Sequence, residues 1–153
     1  FIQASQLEAL KACFTDLATE IATLVKPITD EDGIEALLNP NSPKVVLSKD
    51  LFALYFSRSI IPYCRSIEPQ NWLTEAGPFY KHIGIYAYRA EILKQITSLP
   101  ISSLEKMESL EQLRWLESGL RIKVGISNIE TIGIDTPEDL KRAEEFLQLK
   151  ALL

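Results

Sequence analysis

Helical and extended spacings of apolar residues take turns along this chain. Ser5 with Glu8 three positions on has the form of a capping box, and Leu7, Leu10, Phe14 and Leu17 follow at helical spacing, predicting a helix over residues 6–17 that packs by one face. The β-branched run IATLVKPI at 21–28 predicts a strand that Pro27 ends. A short helix is expected over 30–38, closed by Asn39, Pro40 and Asn41. A hairpin of KVVL (44–47) and FALYFSR (52–58) follows, turning at Ser48, Lys49 and Asp50. Residues 62–79 carry Pro62, Pro69, Gly77 and Pro78 with little periodicity and read as a long irregular segment, of the kind that is functional or forms an interface.

The alternation continues to the end. HIGIYAYR (82–89) reads as a buried strand, and a helix over 90–98 stops at Pro100. Ser102 and Glu105 form a second capping box, opening one long helix whose Leu104, Met107, Leu110, Leu113 and Leu116 share a face and whose end is marked by Gly119. Strands are expected at 121–126 and 131–135. Thr136 then caps a helix with Pro137 in its first position and Glu138 and Asp139 in its first turn. Interleaved helices and strands place the chain in the α/β class.

Composition narrows the function classes. The 153 residues are 46% hydrophobic and 24% charged, with a net charge of −5 and no Lys/Arg run, which argues against a nucleic-acid duplex or an anionic membrane as partner. No apolar stretch reaches the roughly 18 residues of a membrane span, and two Cys cannot build a disulfide scaffold, so a thiol-reduced, cytoplasmic protein is expected. Charge is uneven: residues 1–43 carry two Lys against seven acids, residues 44–98 seven Lys/Arg against four acids, and residues 99–153 seven against ten. The middle third is therefore the place to look for a bound anion.

The residues alone leave each candidate with two readings. Asp135, between a strand end and a capped helix, suits either support of the cap or ligation of Mg²⁺. His82 begins its strand among basic residues and is either structural or a hydrogen-bonding partner for an acidic substrate. Arg58 at the end of the hairpin is either solvated or a fork for a carboxylate or phosphate. Glu111 and Gln112 lie off the leucine stripe, where a solvated face is the default. Cys13, Cys64, Trp72 and Trp115 read as incidental thiols and packing residues.

Taken together, KVV and ALYFSR, then HIGIYAYR, LEQLR and GIDTPEDL, in this order and at these separations, resemble the C-terminal part of 3-deoxy-manno-octulosonate (Kdo) cytidylyltransferases, the CMP-Kdo synthetases. The resemblance covers nearly the whole chain. It implies an incomplete nucleotide-diphospho-sugar transferase fold, Rossmann-like, with a mixed sheet and flanking helices. It also implies transfer of CMP from CTP to Kdo with release of pyrophosphate, in lipopolysaccharide biosynthesis. By the same resemblance Arg58 pairs with the sugar carboxylate, His82 and Tyr86 contact Kdo, Glu111 and Gln112 bind sugar hydroxyls, and Asp135 is a catalytic Mg²⁺ ligand.

The family's basic nucleotide-binding signature and its Gly-Asp-Glu-Pro turn do not occur here. Residues 1–153 are therefore expected to be the sugar-binding C-terminal portion of one cytidylyltransferase domain, nearly inert alone and assembling as a homodimer, with the segment 62–78 as the candidate interface. Two rivals stand beside this reading: a CMP-sialic acid synthetase or other activated-sugar synthetase, and a non-catalytic domain that binds acidic sugars or a partner subunit.

Overall fold

The computed structural model describes residues 2–129 and residue 141. The strand expected at 131–135, the helix after it and Asp135 lie outside the described residues. Among the described residues five strands, β1 (Ile21–Ile28), β2 (Lys44–Leu47), β3 (Ala53–Ser57), β4 (Phe79–Tyr88) and β5 (Ile122–Ile126), form one sheet in the order β3-β2-β4-β1-β5. The pair β1–β5 is parallel, and β1–β4, β4–β2 and β2–β3 are antiparallel. The mixed sheet and flanking helices agree with the expected α/β architecture. Its outer strands also meet: Phe52 bridges Lys123, and the Val124 N–H donates to the Leu51 carbonyl at 2.8 Å.

Among residues 2–129 six helices serve the sheet: α1 (Ala4–Cys13), α2 (Gly33–Leu38), α3 (Trp72–Glu75), α4 (Ala90–Thr97), α5 (Ser103–Glu108) and α6 (Gln112–Glu117). Strand alternation divides β1 between two cores. Ala22 and Leu24 turn toward α1 and pack with Leu10, Cys13 and Ile83. Ile21 and Val25 turn the other way, joining Phe56, Ile92, Ile96, Leu113, Trp115 and Val124 beneath α4 and α6. A smaller core at the sheet's end gathers Ile28, Leu37, Trp72 and Phe79.

Several local expectations need correction. The first helix opens at Gln3, whose N–H donates to Gln6 Oε1 at 3.0 Å, rather than at Ser5 with Glu8. Gln6 is buried under the helix and its side chain reaches back, whereas Ser5 is exposed and already inside the first turn. The helix ends at Cys13 because Thr19 Oγ1 donates to the Cys13 carbonyl and Asp16 Oδ1 accepts the Ala18 N–H, leaving Leu17 in solvent. Pro27 does not end β1. Pairing to β5 stops at Val25–Ile126, so by Pro27 one side of β1 has no strand neighbour among the described residues and the missing N–H breaks no bond there.

The long helix expected after Ser102 is two short ones. Its capping box is present, with the Glu105 N–H on Ser102 Oγ and the Ser102 N–H on Glu105 Oε2. Ser109 then takes left-handed backbone angles (φ 53°, ψ 47°) and turns the chain before α6, so Met107 points to solvent instead of joining the leucine face. The segment 62–79 is not a loose arm. It holds the Pro69–Asn71 turn and α3, and Trp72 folds inward with its Nε1–H on the Ile67 carbonyl at 2.8 Å.

Candidate active site

The α4/α6 face of the sheet carries an unusual amount of polar chemistry. His82, Tyr86 and Tyr88 project from alternate positions of β4 toward this side. Between Thr23–Tyr86 and Leu24–Ile83 the ladder shifts, leaving Gly84 and Ile85 without counterparts on β1. Thr23 fills the gap, its hydroxyl donating to the Ile85 carbonyl at 2.7 Å, with Ile83 O at 3.3 Å. Bulges of this kind re-aim side chains beside functional sites. Here Gly84 is exposed, and a Cβ added to it would meet nothing within 4 Å, so the sheet surface is open at this position.

The bulge also sets the state of His82. Because the single Thr23 hydroxyl proton goes to a carbonyl, the Nε2–H of His82 donates to Thr23 Oγ1 at 2.9 Å and Nδ1 keeps its lone pair. Phe56 meets the ring edge-on at 5.1 Å and Tyr86 lies at 5.3 Å. Desolvation in this setting pushes the imidazole down to about 4. His82 lies inside β4, which starts at Phe79, and is neutral at pH 7. It is equipped to accept a hydrogen bond from a hydroxyl, not to supply charge to an anion.

Tyr86 is the most telling group. Its hydroxyl is buried and has no hydrogen-bond partner among the described residues, an arrangement that costs free energy unless something arrives to satisfy it. Trp115 on α6 meets the ring edge-on at 5.0 Å and Tyr88 stacks at 6.1 Å. Burial, then Tyr88, then the Glu111 carboxylate raise its ionisation well above the ordinary range. Burial and then Glu111 push Tyr88 up to about 12. Glu111 thus acts electrostatically on both phenols. Gln112, expected on a solvated face, is buried in the first turn of α6.

Arg114 fixes this corner. Its Nη2 donates to Glu111 Oε1 at 2.9 Å and to Glu105 Oε1 at 3.0 Å, and its Nη1 to the Leu99 carbonyl at 3.0 Å. Its Nε lies 2.9 Å from Glu105 Oε2 but off the hydrogen-bonding axis.

Arg58 stands just past β3, against the α5–α6 turn that leads into α6. Its Nε donates to the Glu108 carbonyl (2.7 Å), Nη1 to Pro40 O (2.9 Å) and Nη2 to Ser109 O (3.2 Å), so three of five N–H groups go to backbone. Lys44 is fully buried beside it, with Nζ on the Asn39 and Ser42 carbonyls at 2.9 Å each. Burial and then the Arg58 charge lower its ionisation, and Glu108 opposes them. This is the positive region that the charge map placed in the middle third. Sequence reasoning missed Thr23, Lys44, Glu108 and Arg114. Thr23 had a visible signal as the polar residue in an apolar run; Arg114 stood unremarked in LEQLR.

A family model described as cytidylyltransferase matches residues 1–122. The chain belongs to the cytidylyltransferase family. Among its relatives, the 3-deoxy-manno-octulosonate cytidylyltransferase of Phocaeicola vulgatus is 69% identical over 97% of this chain and 58% of its own length. That of Bacteroides thetaiotaomicron is 66% identical over 97% of this chain and 59% of its own. Among solved structures, CMP:2-keto-3-deoxy-manno-octonic acid synthetase complexed with CTP superposes with a TM-score of 0.84 at 35% identity, covering 97% of this chain and 58% of that one. The chain thus spans little more than half the length of these cytidylyltransferases. Among the described residues no helix is long and apolar enough to cross a membrane, and no group of three or more His, Cys, Asp or Glu is placed to hold a metal ion.

Proposed function

We propose that this cytidylyltransferase chain provides the acidic-sugar side of an enzyme that joins CMP from CTP to Kdo, releasing pyrophosphate. The observation that carries the reading is the buried, unpartnered Tyr86 hydroxyl beside neutral His82 and near Glu111, in a chain so similar to Kdo cytidylyltransferases. A polyhydroxylated acid fits these groups. The two N–H groups that Arg58 has left would receive the sugar carboxylate as a charge-assisted pair. The Tyr86 hydroxyl, Glu111, Gln112 and the His82 Nδ1 lone pair would take the sugar hydroxyls.

In the reaction, the anomeric hydroxyl oxygen forms the new bond to the α-phosphorus of CTP, the bond to the β-phosphate bridge breaks, pyrophosphate leaves and the hydroxyl proton is lost. Positioning and electrostatics do most of the work in such transfers. The described residues supply the sugar's orientation. They do not assemble a metal site, so no step is derived through Mg²⁺; its role, with Asp135 as ligand, rests on the resemblance alone. A homodimer acting in the cytoplasm belongs to the same proposal on the same ground, and sedimentation of the purified chain checks the assembly.

Calorimetric titration of the chain with Kdo, with sialic acid as the comparison, tests the reading. Kdo is expected to bind and sialic acid to bind more weakly. Preference for sialic acid, or no binding of Kdo, overturns it.

A further inference from the structure

The carboxylate of Glu108 does not face solvent as an acid at the end of a short surface helix ordinarily does. Its Oε1 accepts the Ser57 hydroxyl at 2.6 Å and its Oε2 the Arg58 backbone N–H at 2.9 Å. The exchange is reciprocal, because Arg58 Nε returns a bond to the Glu108 carbonyl and Nη2 reaches the Ser109 carbonyl. Two successive carbonyls converge on one guanidinium only because Ser109 is left-handed, a conformation that non-glycine residues rarely adopt. The same turn fixes where α6 starts, and α6 begins with Glu111 at its cap and Gln112 in its first turn.

We infer that Glu108 is a positioning residue: by bolting the α5–α6 elbow to the end of β3 it aims Arg58 and sets the stance of Glu111 and Gln112, coupling the anion-binding and hydroxyl-binding halves of the sugar site. The inference rests on the Kdo reading for its ligand, but the bolt itself is independent of it. The carboxylate takes the Ser57 hydroxyl and the Arg58 backbone N–H, while the guanidinium and the buried Lys44 ammonium are bonded to backbone carbonyls, so the region keeps positive charge for the ligand.

Charge and geometry make opposite demands, which makes the idea testable. Removing a negative group next to an anion site tightens Kdo by charge alone, whereas loss of a positioning clamp weakens it. Titrations with Kdo and with its uncharged methyl ester are run on the wild-type chain, Glu108→Ala and Glu108→Gln. Glu108→Ala is expected to lose roughly tenfold or more in Kdo affinity, the scale of a charge-assisted bond lost, with a smaller loss for the ester, which feels the shift of Glu111 and Gln112 but not that of Arg58. Glu108→Gln, which keeps the shape and an acceptor oxygen, is expected to restore most of the loss.

A second readout needs no sugar. The Arg58 Nε–H proton, followed by NMR, is expected to be protected from exchange in the wild type and in Glu108→Gln, and to lose that protection in Glu108→Ala. Tighter or unchanged Kdo binding by Glu108→Ala, an equal loss for acid and ester, or Glu108→Gln as weak as Glu108→Ala overturns the inference. If the wild-type chain binds no Kdo, the function reading fails and the Arg58 proton decides the positioning role alone: protection retained in Glu108→Ala overturns it. Should Glu108→Ala not fold, Glu108→Gln carries the test, and loss of either Kdo binding or Arg58 protection in that folded variant counts against it.

Discussion

The two faces of the sheet are built from the same strands to opposite ends. On the α1 side the contacts are short and dry: a Cβ added at Gly125 would stand 2.8 Å from Leu24 Cδ2, 3.3 Å from Cys13 Sγ and 3.4 Å from the Ala9 carbonyl. Nothing larger than a hydrogen fits between helix and strand there. On the α4/α6 side a bulge interrupts the ladder, an exposed glycine leaves open surface, and a phenol hydroxyl is buried without a partner among the described residues. One face spends its residues on packing, the other holds polar groups at a cost that packing elsewhere must offset. Departures from close packing and full hydrogen bonding therefore mark the working side of the molecule.

On that division, substitutions on the two faces separate stability from binding. The largest effect is expected on the sealed face. Leu24 has no exposed surface, so Leu24→Ala is expected to cost about 2–5 kcal/mol in chemical denaturation, with Kdo affinity of the folded fraction unchanged.

The next effect belongs to the open face and depends on pH. The folded imidazole of His82 titrates at about 4 against 6.5 when unfolded, so the unfolded chain takes up the proton first. Its contribution to stability is complete above pH 6.5 and lost as pH falls toward 4, by an amount on the order of 3 kcal/mol. Urea midpoints across that window check this, and His82→Asn is expected to remove the slope.

Gly125→Ala, back on the sealed face, is expected to cost about 1–3 kcal/mol through overpacking, read from thermal unfolding. The smallest change in stability should come from Tyr86→Phe, which deletes a buried hydroxyl that has no partner and leaves stability within about 1 kcal/mol or slightly raised. The same variant is expected to weaken Kdo at least several-fold in titration. A loss of stability with no loss of affinity would erase the contrast between the faces.

How far the chain could be read in advance follows the same division. The strands were legible because runs such as IATLV and HIGIYAY are dominated by β-branched and aromatic residues, and Ser102 with Glu105 announced a helix start that the structure keeps. What stayed hidden came from contacts between distant segments. The break at Ser109 could not be seen in a continuous leucine stripe, because it depends on Glu108 meeting Ser57 and Arg58 some fifty positions away. Gln112 looked solvated for the same reason, since the turn before α6 is what rotates it inward. Arg58, His82, Tyr86 and Glu111 were named from the resemblance, and the structure places His82, Tyr86 and Glu111 around one open face with Arg58 at the adjoining elbow. Asp135 lies outside the described residues.

The position of β1 has a consequence for how the chain reaches this fold. It is the most buried strand, yet both of its neighbours come from far downstream: Ile21 pairs with Tyr88 on one side and Ile122 on the other. The second partner is about a hundred positions away, which makes the topology rich in non-local contacts and folding correspondingly slow. During synthesis Ile21–Val25 leaves the ribosome as an unpaired apolar strand, and gains its first partner only with β4 and its second only with β5. The most buried strand of the sheet thus completes its pairing only when the last of the described strands is made, and needs shielding while it waits.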